Sequence, residues 1–349
     1  MEETIVGADE RVLVTGAAGF IGNYVVAELL RRGHSSIRCL VRPPGESRRI
    51  GELASAHPGS NVEIVQGNLL NADDCRKATE GVRVIYHLAA GRDKSFAGSF
   101  MNSAVATRNL LDGARASGTL RRFVCVSSFA VYSNRGMRRG APLDETCAIE
   151  SDPQARYEAY TFGKLKQEQI LAEYGSRYDI SYVVLRPGNV FGPGKRELPG
   201  RIGIDTFGVF LHLGGRNRIP FTYVENCAEA IVMAGMQPGI DGEVFNVVDD
   251  DLPTSAQFLR WYKRNVRRFV SIRVPYGLAY LLSSLWEWYS RWSDGQLPPA
   301  FNVKACETFW KGNTYSNAKL KGLVGWSPRV PLRDAAVIYF RSVREEARP

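Results

Sequence analysis

Tyr160 and Lys164 stand four residues apart in Tyr160-Thr161-Phe162-Gly163-Lys164, and the stretch 156–174 reads as a helix. That separation puts both side chains on one helix face. A phenol can pass a proton to or from a substrate oxygen. Its ordinary pKa near ~10 is too high for a base at neutral pH, and a neighbouring ammonium or other positive charge lowers it. Ser128 closes the apolar run RRFVCVSS (121–128) and offers a hydroxyl to the same carbonyl or alcohol. The three are candidates for proton transfer at a secondary alcohol or ketone. Tyr160 is the candidate acid/base, Lys164 its electrostatic partner and a donor for the ribose of a bound cofactor, and Ser128 the group expected to orient the substrate oxygen. Hydride chemistry in such a set belongs to a cofactor.

A place for that cofactor is written at the start of the chain. RVLVT (11–15) reads as a strand, and FIGNYVVAELLRRG (20–33) as a helix. Between them TGAAGFIG (15–22) holds Gly16, Gly19 and Gly22. The first permits a tight turn with positive φ, the second lets backbone approach a pyrophosphate, and the third lets helix and strand pack closely. The pyrophosphate then meets free N–H groups at the helix N-terminus, so Phe20 and Ile21 join the candidate contacts. The second strand ends Leu40-Val41-Arg42-Pro43, without the acid that usually holds a ribose 2′-hydroxyl. Arg42 suits a 2′-phosphate through a forked contact, which favours NADP(H) and leaves NAD(H) open.

Further apolar runs, SIRCLVR (36–42), NVEIVQG (61–67), VRVIYHLAA (82–90), RRFVCVSS and ISYVVLRPG (180–188), alternate with helical stretches such as 96–118. Short apolar strands separated by helices mean βαβ units and a mostly parallel sheet covered on both faces. The expected fold is α/β, a Rossmann-type doubly wound parallel sheet with a smaller C-terminal substrate-binding lobe. The division expected is 1–190 for the dinucleotide-binding part with the catalytic residues and 191–349 mainly for the lobe. FGPGKRELPGRIG (191–203) reads as loop, and helices are expected at 225–236, 255–266, 276–292 and 331–345. The strand-like GEVFNVV (242–248) is a candidate to return to the main sheet.

The chain has 349 residues, 44% hydrophobic and 23% charged, ordinary globular values that exclude a disordered or collagen-like polymer. Lys plus Arg is 45 against 36 Asp plus Glu, a formal charge of +9 that favours anionic partners. No nucleic-acid-binding module is present, so a small-molecule substrate is expected and nucleic acid is not. The six cysteines show no CxxC spacing and no accompanying His cluster, so neither a disulfide framework nor a metal site is expected. MEETIVGADE lacks the apolar core of a signal peptide, which makes the cytoplasm the expected compartment.

These motifs resemble the extended short-chain dehydrogenases/reductases, the NAD-dependent epimerase/dehydratase superfamily, along nearly the whole chain. TGAAGFIG matches that group's TGxxGxxG, His87-Leu88-Ala89-Ala90 its HLAA, and Ser127 to Tyr132 its SSxxVY. Tyr160 to Lys164 matches YxxxK, RPGNVFGPG (186–194) matches RPxxVYGPG, and Val324-Gly325-Trp326-Ser327-Pro328 matches LGWxP. The resemblance implies catalytic Ser128, Tyr160 and Lys164. It also implies cofactor contacts at the three glycines, at Ala89 with Ala90, and at Pro187 with Val190. Where many members carry an acid after the third strand's Gly, this sequence has Asn68, followed by Leu69, and an amide there can still hold adenine. A homodimer formed through the helices at 96–118 and around Tyr160 is implied in the same way.

For the substrate the resemblance points two ways. Asn189 resembles the nucleotide-sugar branch, whose Asn there contacts a diphosphate. That branch places an Arg where this chain has Ile219, and an Arg-x-Gly-Asp/Glu element ahead of its final LGW where the comparable stretch here, FWKGNTYSNAKL (309–320), has Lys311 but no Arg. Lost arginines are lost bidentate phosphate clamps. The run FTYVENCAEAI (221–231), with Tyr223 a candidate substrate contact, resembles the 3β-hydroxysteroid dehydrogenase-like branch. A secondary alcohol/ketone oxidoreductase on a fairly apolar substrate is therefore expected, with a nucleotide-sugar 4-epimerase, dehydratase or reductase holding NAD as the alternative. The segment 274–293 holds three Trp and three Tyr, and its uncharged run Val274 to Trp286 is 13 residues, too short to span a bilayer. Packing on the lobe, a lid over an apolar substrate, and peripheral membrane contact at the inner face are all open for it.

Overall fold

The computed structural model describes residues 4–43, 47–91, 95–154, 158–206, 208–293 and 302–346. The chain begins with β1 (Val12–Thr15), α1 (Phe20–Arg31), β2 (Ser36–Val41), α2 (Arg48–Ser55), β3 (Asn61–Gln66), α3 (Ala72–Thr79) and β4 (Val84–His87). There follow α4 (Phe96–Ser99), a π-helical stretch (Phe100–Val105), α5 (Ala106–Ser117), β5 (Arg122–Val126), β6 (Pro142–Leu143), α6 (Ala159–Tyr178), β7 (Tyr182–Pro187) and β8 (Asn189–Phe191). The second half gives β9 (Gly203–Thr206), β10 (Val209–His212), β11 (Phe221–Tyr223), α7 (Val224–Met236), β12 (Val244–Val247) and α8 (Ser255–Asn265). It closes with β13 (Ser271–Arg273), α9 (Tyr276–Trp292), α10 (Val303–Trp310), β14 (Thr314–Tyr315), α11 (Ala318–Val324) and α12 (Leu332–Glu346).

Seven strands form the central sheet in the order β12-β7-β5-β4-β1-β2-β3, every pair parallel. The winding reverses between β1 and β4, and the carboxyl ends of strands at such a switch point open a crevice for a ligand. All side chains of β1, β4 and β5 are buried, as a sheet covered on both faces requires. The doubly wound α/β fold expected from the alternating runs is the fold found.

Strand and helix bounds fall within a few residues of the expected ones, with α6 running four residues past Tyr174 to Tyr178. Tyr178 continues the helix by packing edge-on against Tyr174 at 5.2 Å, and Asp179 then stops it with φ 54°. The start of the expected helix, Arg156 and Tyr157, lies outside the described residues. GEVFNVV does return to the main sheet: β12 pairs with β7 in the register Val244↔Val184. α7 packs against α1 and crosses β4, β5 and β7, so elements from beyond residue 190 cover the sheet that holds the glycine loop. The short helices α2, α3 and α10 and the small sheet β13-β10-β9 are not among the expected elements. α3 is started by Asn71, whose side chain accepts from the N–H of Asp73 at 2.8 Å. All six cysteines are free thiols, and among the described residues no three His, Cys, Asp or Glu groups gather to hold a metal.

Candidate active site

The turn from β1 into α1 is built for close backbone approach. Gly16 sits at φ +69°, and a Cβ there would stand 2.9 Å from the Ala89 amide nitrogen. A Cβ on Gly22 would run into the Gly16 carbonyl oxygen and the Ala17 backbone. Gly19 caps α1 without any side-chain hydrogen bond, so the first-turn N–H groups meet no capping oxygen. In front of them lies a cleft of about 560 Å³, lined by Gly16, Gly19, Arg42, Asn68, Leu69 and Ala89 among others. An extended dinucleotide fits these features: a cradle without side chains, an uncapped helix start for the pyrophosphate, and a channel along the strand ends.

Arg42 is exposed at the rim, and among the described residues no ion pair or hydrogen bond engages its guanidinium. Asn68 is partly committed: its Oδ1 accepts from the Leu70 N–H at 3.0 Å, and its own N–H donates to Asp74 Oδ2 at 2.8 Å. The nearest carboxylate, Asp74 of α3, is thus spent on the Asn68 backbone and does not line the cleft. Ala90 also lines the cleft, whereas Phe20, Ile21 and Gly22 belong to the helix start behind it. Phe20 packs edge-on against Tyr24 at 6.1 Å.

The proton-transfer set is held at the ends of β5 and α6. Lys164 is nearly fully buried, and its Nζ donates to the Val126 carbonyl oxygen at 2.6 Å. The same nitrogen lies 6.0 Å from the centre of the Tyr160 ring. Tyr160, in the first turn of α6, is 37% exposed between buried Ala159 and Thr161. Ser128 is extended and half-buried, and its Oγ accepts from the Ala130 N–H at 3.2 Å, leaving its own proton to donate. One lysine bond thus ties the helix bearing Tyr160 to the strand end that leads into Ser128. Pro187 ends β7 opposite Val247, Asn189 is half-buried, and the buried Val190 offers its carbonyl to Lys195 Nζ at 3.0 Å.

A buried polar chain supports the cleft from behind. His87 Nδ1 lies 2.8 Å from Thr15 Oγ1, and Gln167 Nε2 lies 3.1 Å from His87 Nε2 and 2.9 Å from Thr107 Oγ1. Burial, and then the Lys164 charge, pushes His87 down to about 3, so it is neutral here. Gln167 also donates to the Ala89 carbonyl at 3.2 Å, and Thr15 accepts from the Ala89 N–H at 3.4 Å, so the chain grips the cleft wall. Thr15 opens the glycine motif, but motif spacing does not mark Thr107 or Gln167. The available signals were a polar residue ending an apolar strand and a Gln one turn beyond Lys164.

One expectation is corrected. Tyr223 is not a substrate contact but a core residue: it is fully buried, its ring 5.7 Å from Phe191 and its hydroxyl 3.3 Å from Glu225 Oε1. β11 lies inside the fold beside β8, so its aromatic side chain fills space between elements instead of facing the cleft.

The profile of the NAD dependent epimerase/dehydratase family matches residues 12–247. The chain belongs to this family. As a family member it is an enzyme of the extended short-chain dehydrogenase/reductase type, with a nucleotide-binding Rossmann domain. It is 28% identical over 253 residues to a trifunctional UDP-glucose 4,6-dehydratase/UDP-4-keto-6-deoxy-D-glucose 3,5-epimerase/UDP-4-keto-L-rhamnose-reductase of Arabidopsis thaliana, covering 68% of this chain. The chain spans only 36% of that relative's length. It is 28% identical over 363 aligned positions to a 3 beta-hydroxysteroid dehydrogenase/Delta 5→4-isomerase of Mycobacterium tuberculosis, covering 97% of this chain and 93% of the relative. The crystal structure of a UDP-glucuronic acid 4-epimerase from Bacillus cereus, with UDP-glucuronic acid and NAD, shares the fold. Its TM-score is 0.71 at 21% identity, over 96% of this chain and 99% of that one.

Proposed function

We propose that this family member interconverts a secondary alcohol and a ketone on a fairly apolar substrate, with NADP(H) preferred over NAD(H). The observation that carries the substrate reading is Ile219. It occupies the place where the nucleotide-sugar branch sets a diphosphate-clamping Arg, and it is 1% exposed in the core. Neighbouring Arg218 is turned to the Leu252 carbonyl at 3.0 Å, and Lys311 is held by Glu307 and the Asn134 carbonyl, each at 3.4 Å. The near-complete span shared with a hydroxysteroid dehydrogenase supports the same reading. The cofactor preference rests on Arg42 at the cleft rim.

When bound, the nicotinamide ring accepts or supplies a hydride. The chain's own residues do the rest. The glycine turn and the α1 N-terminus hold the pyrophosphate, and Arg42 holds the 2′-phosphate. Ser128 donates to the substrate oxygen and fixes its position. Tyr160 takes the alcohol proton in oxidation or returns it in reduction. Lys164 sets its ammonium 6.0 Å from the centre of the Tyr160 ring and, through its bond to Val126, fixes where α6 presents the phenol.

The second reading, a nucleotide-sugar epimerase or dehydratase, is favoured by Asn189 in RPGNV and by relatives that act on UDP-sugars. Release of any dinucleotide from freshly purified, denatured protein separates the two. Empty protein that binds NADPH more tightly than NADH is the outcome expected. A stoichiometric NAD carried through purification overturns the proposal, because an enzyme that returns the hydride to the same substrate need not exchange its cofactor.

A further inference from the structure

α9 is packed inside out. Its buried positions are the small or polar Ala279, Ser283 and Ser290, and Glu287 accepts from the Val303 N–H of α10 at 3.2 Å. The opposite side carries Leu278, Leu281, Leu282, Leu285, Trp288 and Trp292, all exposed, the two tryptophans by 63% and 70%. Steps of three and four residues make these a continuous stripe along one face. An apolar stripe left facing solvent marks an interaction surface.

The charges around it say what it meets. From Arg260 to Trp292 the sequence holds seven basic residues and one acid, Glu287. Beside the N-terminal end of α9, Arg216, Arg260, Lys263 and Arg273 line a cavity of about 380 Å³ that no carboxylate enters. Among the described residues these four make no ion pair; Lys263 donates to Ser271 Oγ at 2.7 Å. Nearby Phe269 is flanked by Lys263 and Arg267, whose charged groups lie 4.9 Å and 5.4 Å from its ring centre. Leucines flanked by Trp and Tyr, with Arg216, Arg260 and Arg273 outside any ion pair among the described residues at the same end, are the composition that seats a helix in the headgroup region of an anionic bilayer. Among the described residues no helix is long and apolar enough to cross a membrane.

We propose that α9 is a peripheral docking surface for an anionic phospholipid bilayer. The helix lies in the plane of the interface with its Leu/Trp stripe at the acyl boundary, and the basic cavity at its N-terminal end takes lipid phosphate. This surface is independent of the substrate reading above.

The test is co-sedimentation of the full chain with phosphatidylcholine vesicles and with vesicles containing phosphatidylglycerol, alongside tryptophan emission. Binding to the anionic vesicles, little binding to the neutral ones, release by high salt and a blue shift on binding are expected. A Trp288→Ser/Trp292→Ser variant alters only exposed side chains, so its circular dichroism and thermal midpoint should match the parent while its partitioning falls at least tenfold. Arg216→Gln/Lys263→Gln should lose the preference for anionic vesicles. Equal binding to both vesicle types, or full binding by the tryptophan variant, overturns the proposal. So does a parent dimer that the tryptophan variant converts to monomer in sedimentation velocity, which assigns the stripe to a second copy.

Discussion

The ammonium of Lys164 donates to the carbonyl oxygen of Val126 at 2.6 Å, and this bond fixes how α6 meets the end of β5. Ser128 follows two residues after the acceptor, and Tyr160 stands one helical turn before the donor. The bond therefore sets the register of the proton-transfer set. Lys164→Met keeps the length of the side chain but removes both the charge and the bond. Turnover should fall by roughly 10²–10⁴-fold, the usual worth of positioned acid–base catalysis, and cofactor binding should weaken as well. Steady-state rates with a cofactor titration check this; a variant with near-parental turnover would remove Lys164 from the mechanism.

Arg42 should decide between cofactors. Its guanidinium is exposed at the cleft rim, open to a phosphate. Arg42→Asp replaces a phosphate partner with an acid suited to a ribose 2′-hydroxyl. The ratio of NADPH to NADH affinity should fall by about tenfold or more, since charge-assisted hydrogen bonds contribute about 1.5–3 kcal/mol. An unchanged ratio would mean that Arg42 does not touch the ribose.

Gln167 should behave as a positioning residue. Gln167→Leu leaves the Ala89 carbonyl, His87 Nε2 and Thr107 Oγ1 without its amide, all at buried positions. Stranding buried polar groups costs about 1–3 kcal/mol, so the urea midpoint should drop. Cofactor affinity should drop too, because Ala89 is part of the cleft wall, and Gln167→Glu, which lacks the donor, should not rescue it. A variant that loses stability but binds cofactor normally would make Gln167 structural only.

Much of this site was legible because its chemistry is local in sequence. The glycine turn lies within eight residues, and the Tyr160–Lys164 pair within one helical turn, so spacing alone reported shared faces. The central sheet was legible for a related reason: strands buried on both faces are continuous apolar runs. What escaped depends on contacts between distant segments. Thr15, His87, Thr107 and Gln167 come from four elements, and nothing in any one of them shows that they meet. Tyr223 misled because an aromatic within a recognisable motif reads as a contact, while only the packing of β11 against β8 shows it buried. The reversed polarity of α9 is a third case. Its periodicity is plain, but periodicity does not say which face the fold covers.

Asp249 gives a pH-dependent prediction. Burial pushes its carboxyl up to about 7, opposed in part by the Tyr223 N–H, which donates to Oδ2 at 2.9 Å. A carboxyl raised in the folded state binds its proton more tightly there than in the unfolded chain. Its contribution is fully present below the unfolded value near ~4 and is lost as pH rises through about 7. Asp249→Asn keeps an oxygen for the Tyr223 N–H and removes the titration. The variant should gain stability relative to the parent as pH rises across that window, measured by urea midpoints at a series of pH values. A gap between the two that does not change with pH would contradict the assignment.

The central claim is that Tyr160 moves the proton between substrate oxygen and solvent while the glycine cleft holds the cofactor. Tyr160→Phe tests it most directly, with turnover and cofactor affinity measured on the same preparation. Tyr160 is 37% exposed, and among the described residues no hydrogen bond holds its hydroxyl, so the substitution disturbs little else. The account predicts a turnover loss of roughly 10²–10⁴-fold with the cofactor dissociation constant nearly unchanged. Turnover within a few-fold of the parent would contradict it.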